Sequence, residues 1–285
     1  METYDEQFYQ ALKTDSLNSA REIVPFIVKF FQPRSVIDLG CGVGAWLSVF
    51  RELGVSEILG IDGDYVSQAM LCIPSECFFP FDLTQPLRPE RQFDLAMSVE
   101  VAEHLPAECA ESFVNTLTGL APVILFSAAV PNQGGTNHIN EQWPEYWARL
   151  FRKRGFLAAD CLRMRFWNNE RVTYYYAQNL FLYARRDYLD AHPGLASELQ
   201  FSDAPLVPLV HPQLLRYRMY DIEREEYWRA WYQANPDPRK LTLLQVLSVL
   251  PELSANAAKR RFKRLSAKLT GARVITGIQT ERMRH

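Results

Sequence analysis

The sequence predicts an α/β fold with a doubly wound, seven-stranded sheet, and three observations carry that reading. Short apolar strands alternate with helical stretches between Ser35 and Arg154, a pattern that builds a parallel sheet with helices on both faces. Three glycines, Gly40, Gly42 and Gly44, follow directly on the first of those strands. Two further apolar runs, Leu157 to Arg165 and Thr173 to Ala184, read as strands separated by Trp167-Asn168-Asn169-Glu170. That spacer is too short for a parallel crossover, so the last strand is expected to be antiparallel.

Taken in order, the first thirty or so residues read as a helix ending in Ile23-Val24-Pro25-Phe26-Ile27-Val28-Lys29-Phe30-Phe31, apolar enough to be buried on most sides. Ser35 to Leu39 is a strand and Ala45 to Leu53 a helix; Glu57 to Ile61 and Cys77 to Phe81 are the next two strands. Phe93 to Ser98 is the fourth, with a helix around Ala107 to Leu120. Pro122 to Ser127 is the fifth, and a helix from about Gln142 to Arg154 follows. Arg171-Val172-Thr173-Tyr174-Tyr175-Tyr176 is rich in β-branched and aromatic residues, as a strand should be. If it is one, the three tyrosines cannot share a face. From Asp190 the character changes. His192-Pro193-Gly194 and Ala204 to Pro208 read as a linker, and helical segments follow at about Gln213 to Asn235 and Lys240 to Lys268. The expected organisation is therefore an α/β domain over 1–190 and a linker with a helical C-terminal extension over 191–285.

The 285 residues are 48% hydrophobic and 22% charged, enough apolar material for a core, and a formal net charge of -2 gives no case for nucleic acid as a partner. The acidic start, Met1 to Glu6, is not a signal peptide, and no apolar run reaches the roughly 20 residues that span a bilayer. Cys41, Cys72, Cys77, Cys109 and Cys161 lack paired-ligand spacing. They read as reduced core thiols of a cytoplasmic protein.

The glycines between strand and helix let a ligand approach the backbone closely, and a helix N-terminus offers unpaired N–H groups. Gly40-x-Gly42-x-x-Ala45 also satisfies the looser dinucleotide fingerprint, and Asp62 suits ribose hydroxyls in either case. Two features favour S-adenosylmethionine. Asp38, a carboxylate before the loop, matches a ligand with an ammonium and a sulfonium rather than a pyrophosphate, and Gly44 supplies a third glycine.

At this point the chain resembles the class I S-adenosylmethionine-dependent methyltransferase family over about residues 20 to 185. Val36 to Gly44 looks like the family's first motif, and Gly60-Ile61-Asp62-Gly63-Asp64 like its second. Phe81-Asp82-Leu83 falls where the family places residues near the adenine, and Phe93 to Leu105, ending Glu103-His104-Leu105, is similar to its fourth-strand motif. The resemblance implies a Rossmann-like sheet. It also implies a cofactor site drawn from Asp38, Gly40, Cys41, Gly42, Gly44, Asp62, Gly63, Phe81, Asp82, Leu83, Ser98, Val99 and His104, with Asp94 structural. No metal is expected: Glu100, Glu103 and His104 lack the second histidine one helical turn away that a zinc HExxH motif needs.

Acceptor-binding residues should lie at the carboxyl ends of the strands. Val130 to Trp143 is the richest segment, with His138 as candidate base and Glu141 as its orienting partner. Trp143, Tyr146 and Trp147 suggest an aromatic wall, and Trp167 with Asn168 a second acceptor contact. The competing reading has His138 and Glu141 fixing the loop, and Trp143 and Trp147 packing a helix. Tyr4, Phe8 and Tyr9 suggest a lid, against a merely mobile terminus. The loop Gly134 to Trp147 resembles a subgroup that methylates sugars or secondary metabolites.

The expected activity is thus methyl transfer to a hydroxyl of a small molecule or glycan. Nitrogen or carbon acceptors, a non-catalytic cofactor-binding scaffold and an NAD-dependent oxidoreductase are the competing readings. Lys259 to Leu269 is a basic helix candidate with a narrow apolar stripe, suited to a membrane surface or an acidic partner, against a solvated helix docked on the protein itself. The aromatic stretch Tyr217 to Tyr232 is a candidate homo-oligomer contact.

Overall fold

A computed structural model describes the backbone of residues 6–87 and 91–234 and the side chains of 14–87 and 91–230. Helix α1 (Glu6–Phe31) leads into strand β1 (Ser35–Leu39) and helix α2 (Ala45–Glu52). Strands β2 (Glu57–Asp62), β3 (Phe78–Pro80) and β4 (Leu95–Val99) follow, then α3 (Ala110–Leu120), β5 (Val123–Ser127) and α4 (Pro144–Lys153). The domain continues through β6 (Phe156–Ala159), α5 (Arg163–Phe166), α6 (Tyr174–Asn179) and β7 (Phe181–Arg185), and then α7 (Arg186–Ala191) and α8 (Pro193–Glu198). Helix α9 spans Pro212–Ala234.

The seven strands form one sheet in the order β3-β2-β1-β4-β5-β7-β6. Only β7 is antiparallel to its neighbours. Side chains alternate across the strands, so Val123 and Leu125 face the layer of α1 and α2 while Ile124 and Phe126 face α3 and α4. The chain winds outward from β1 to β3 and then returns to place β4 on the other side of β1. The strand order therefore reverses at β1 and β4, and in open α/β sheets the binding crevice lies at the carboxyl ends of the strands at such a point.

The region 160–180 departs from the reading given above. Tyr174 to Tyr176 lie in helix α6, and Trp167 to Glu170 do not form a hairpin tip; the connection from β6 to β7 carries two short helices. The antiparallel expectation holds for a different reason, because β7 inserts between β5 and β6. Tertiary contacts override the β-propensity of this stretch. Tyr176 is buried beneath Trp46, with ring centroids 5.3 Å apart, and its hydroxyl lies 2.9 Å from Ser16 Oγ. Tyr174 turns toward His211 and Tyr217. A helix gives each tyrosine its own neighbours, where a strand offers two faces only.

The chain divides into units 1–217 and 218–285, where the sequence suggested a division at 190. Residues read as linker join the first unit: α8 begins at Pro193, Ser202 pairs with Ala158, and Leu206 is buried. In the second unit the described residues 218–230 are helical, with Met219, Ile222 and Tyr227 exposed. No helix among the described residues is long and apolar enough to cross a membrane. The basic segment 259–269, the helix expected over 240–268, and the side chains of Tyr4, Phe8 and Tyr9 lie outside what is described.

Candidate functional site

The glycine loop turns at the end of β1 through three left-handed residues, Gly40 (φ 84°), Gly42 (φ 53°) and Gly44 (φ 76°). A Cβ on Gly40 would sit 2.3 Å from the Val101 side chain, so glycine here lets the loops after β1 and β4 touch. At Gly42 the same test finds nothing within 4 Å. That face of the backbone opens on free space, as a ligand cradle requires. Two hydrogen bonds to Ile61 O, from Gly40 N (2.7 Å) and Cys41 N (3.1 Å), tie the loop to β2.

Asp62 organises the next side of the crevice. Its carboxylate accepts hydrogen bonds from Gly42 N (2.6 Å), Gly63 N (2.7 Å) and the Tyr65 hydroxyl (2.5 Å). The Tyr65 ring lies over Gly63, where a Cβ would come within 2.1 Å of it. Asp38 is buried on β1 with Oδ1 unpartnered, and burial, reinforced by the charge of Asp62, holds its carboxyl well above the usual carboxylate range. A buried polar atom without a partner is costly, and a ligand ammonium would satisfy this one. The open cradle at Gly42, the orphan oxygen of Asp38 and the Asp62 carboxylate at the end of β2 together suit S-adenosylmethionine.

The other expected cofactor residues divide. Phe81 N donates to Asp62 O (2.7 Å), which brings Phe81 to the end of β2, and half-buried Leu83 follows it. Asp82 is exposed, and Thr84 side-chain and backbone hydrogen bonds hold its carboxyl below the ordinary value. Ser98 is fully buried with its hydroxyl unpartnered, and Val99 beside it is half-buried. The Cys41 thiol turns inward against Gly60, and burial pushes it far above the usual thiol range. Asp94 caps the start of β1 by accepting from Arg34 N (2.7 Å) and Ser35 N (3.0 Å), in keeping with a structural role.

Across the crevice, the segment after β5 folds back on the turn after β4. Ile139 N and Asn140 N both donate to Glu103 O, at 2.9 and 3.0 Å. Glu141 accepts from Asn132 N (2.7 Å) and Gly134 N (2.6 Å), and its Oε1 lies 2.9 Å from His138 Nδ1. Because a carboxylate only accepts, Nδ1 is the donor in this contact and Nε2 is the ring nitrogen turned away from Glu141. The His138 ring meets His104 edge to face at 4.8 Å. Burial, then His138, keeps His104 below the ordinary imidazole value.

Beneath these rings lies a buried polar network. Glu100 takes a left-handed φ of 55°, rare for a non-glycine residue. Its N–H bonds Ser127 Oγ (3.0 Å), and its carboxylate accepts from Gln133 Nε2 (2.8 Å) and Asn179 Nδ2 (3.0 Å). Gln133 Oε1 in turn accepts from Asn179 (2.8 Å) and Gln178 (3.2 Å). Glu103 is 0% exposed, its carboxyl meeting only the Glu100 carboxyl and the backbone of Glu103 and Ala129, and burial, then the charge of Glu100, drives it well above the usual range. The ligand atoms of Glu103, His104 and His138 all lie within 4.8 Å of one another. The expectation of no metal weighed Glu103 and His104 against one helical turn, and His138 only with Asp64, Asp82 and Glu141; the structure instead sets His138 beside Glu103 and His104.

The aromatic candidates separate as well. Trp147 is core, packed on Phe126 at 5.3 Å, while Trp143 is exposed at the start of α4. Tyr146 is half-buried, its ring 5.0 Å from Trp147. Trp167 packs against His211 at 4.8 Å; His211 N donates to Gln178 Oε1 (2.7 Å), which joins Trp167 to the buried network. Asn168 is exposed beside it. Sequence reasoning passed over Tyr65, Gln133, Gln178 and Asn179. The spacing Glu100-x-x-Glu103-His104 was the one available signal, and it was set aside.

A family model described as a methyltransferase domain matches residues 12–169. No curated protein matches the sequence. Among solved structures, the methyltransferase domain of bacterial CtHen1-CN is 20% identical with a TM-score of 0.44, covering 59% of this chain and 99% of that one. An O-methyltransferase family protein from Burkholderia thailandensis is 16% identical (TM-score 0.46), covering 64% and 60%. DesVI of Streptomyces venezuelae is 13% identical (TM-score 0.47), covering 63% and 96%. These structural likenesses are too distant to carry function.

Proposed function

This chain belongs to the methyltransferase domain family and is an S-adenosylmethionine-dependent methyltransferase, and from that premise we propose that it methylates a hydroxyl group of a small molecule, a sugar unit or a natural product. The observation that carries the reading is the His138–Glu141 pair beside the cofactor crevice. When bound, the cofactor supplies a methyl group already activated on a sulfonium. The residues of this chain must then hold it, align the acceptor and take the acceptor's proton.

At the cofactor end, Asp38 pairs with the ammonium and Asp62 receives the ribose hydroxyls in place of Tyr65. The space at Gly42 admits the ligand against the backbone. At the acceptor end, Glu141 fixes the orientation of the His138 ring through Nδ1, as a general base needs. A hydroxyl calls for such a base far more than an amine does, so this pair favours oxygen over the competing nitrogen acceptor. Tyr146, Trp143, Trp167 and Asn168 are the candidate acceptor contacts. Positioning supplies much of the rate in such a transfer, and a general base adds a factor of about 10² to 10⁴.

The experiment is a screen of hydroxylated sugars and phenols for methyl transfer, followed by His138→Gln. Turnover should fall about 10²- to 10⁴-fold while calorimetric affinity for the cofactor stays the same. Undiminished turnover in the variant would end the base assignment and move the reading to a nitrogen acceptor.

A further inference from the structure

We propose that Glu103, His104 and His138 form a binding site for a divalent transition-metal ion. Two segments far apart in sequence supply the ligands: the turn Ala102–His104 after β4 and the loop after β5. Their ligand atoms lie within 4.8 Å of one another. Metal bonds of 2.0–2.2 Å hold donors at most about 4 Å apart, so the ligands need to draw in by less than about 1 Å. The His138 loop contains Gly134 (φ 67°) and Gly135, backbone that adjusts readily.

An independent observation at the same place points to a cation. The Glu103 carboxyl is entirely buried, and apart from contacts with the Glu100 carboxyl and with the backbone of Glu103 and Ala129 neither oxygen has a partner. A metal ion is the group that would satisfy both its oxygens and its charge. The surroundings have the form of a metal site's outer shell. His138 Nδ1 is tied to Glu141, which two backbone N–H groups fix in turn, the support that a ligating imidazole's second nitrogen receives. Glu100, held by Gln133 and Asn179, lies against Glu103 as a second buried carboxyl.

One carboxylate and two imidazoles suit manganese, iron(II), cobalt or zinc better than calcium or magnesium, which prefer all-oxygen sets. Three protein ligands leave a coordination position open. The consequence for catalysis rests on the hydroxyl-acceptor reading above: a hydroxyl entering the open position is acidified and releases its proton to water. His138 then holds the cation with the lone pair that would otherwise take the proton, and the ion assumes the task given above to that histidine.

The test uses the full chain, stripped with a chelator and titrated with Co²⁺ while its visible absorption is followed. One ion per chain, with Mg²⁺ failing to compete at equal concentration, is the expected result. Glu103→Gln, His104→Gln and His138→Gln should each abolish the absorption band, with thermal melting checking that every variant is folded. Absence of the band in the wild-type chain overturns the site, as does a band that survives in all three folded variants. This arm reads binding alone, so it stands or falls apart from the acceptor. Chelator-resistant turnover that His138→Gln still destroys would overturn the metal's part in catalysis and return the proton to His138.

Discussion

The cofactor end of the crevice and the acceptor end are made from different materials. At the first, the contacts that matter are backbone: three left-handed glycines, two N–H bonds to Ile61 O, and one carboxylate, Asp62, that straps Gly42 and Gly63 together. At the second they are side chains, Glu100, Glu103, His104, Gln133, His138, Glu141 and Asn179, drawn from three segments and gathered by hydrogen bonds and close contacts. A backbone cradle tolerates change in the side chains around it and none in its shape. A side-chain network keeps its shape only while each partner is present. The same crevice can therefore hold one invariant ligand and accept differing partners opposite it.

The variant that most sharply tests the first half of this comparison is Gly42→Val. Its side chain meets nothing within 4 Å in the protein, yet it fills the space assigned to the cofactor. Affinity for S-adenosylmethionine should fall by at least about a hundred-fold, or about 2.7 kcal/mol. The left-handed backbone adds about 1–2 kcal/mol of strain, visible as a lower melting temperature. Calorimetry that finds unchanged affinity would remove the cofactor from that space.

Next comes Glu141→Gln, at the other end. It weakens the anchor of His138 and of two backbone N–H groups, and turnover should drop about 10- to 100-fold. The cofactor's dissociation constant should hold steady, and a parallel loss of cofactor affinity would show that the two ends are not independent.

Asp38→Asn should weaken the cofactor by about ten-fold, or about 1.4 kcal/mol, while stabilising the ligand-free protein at neutral pH. The sign follows from burial: the folded Asp38 carboxyl titrates above its unfolded value of 3.8. Its contribution is fully present below that value and is lost as pH rises through the folded pKa. Melting curves should thus diverge in the variant's favour from about pH 4 upward, and curves that stay parallel would contradict an unpaired buried carboxylate. Smallest is Cys41→Ala, which removes a thiol packed on Gly60. It should leave cofactor affinity within about two-fold, with a stability loss of about 1 kcal/mol; a large binding defect would mean that side chains build the cradle after all.

The chain's own order made the cofactor end legible. Asp38 to Gly44 is contiguous, and strand, glycines and helix announce one another at fixed spacing. Asp62 ends the neighbouring strand, so its place follows from the topology. The stretch 160–180 misled because Tyr174 to Tyr176 have strand composition, whereas Trp46 and Ser16, from α2 and α1, decide that they coil. His138 and Glu141 were visible as titratable groups in a glycine-rich loop, and their spacing of three residues allowed the contact that forms.

What the sequence determined by itself was local: the alternation of strands and helices, the glycine turn, and the carboxylates at the ends of β1 and β2. Each of these depends on residues a few positions apart, where steric and periodic rules act directly. Only the tertiary structure decided that Gly40 meets Val101, that β7 inserts between β5 and β6, and that Glu103 and His104 face His138. Those contacts join segments whose separation along the chain carries no fixed distance, and packing of the whole sheet and its two helical layers sets them.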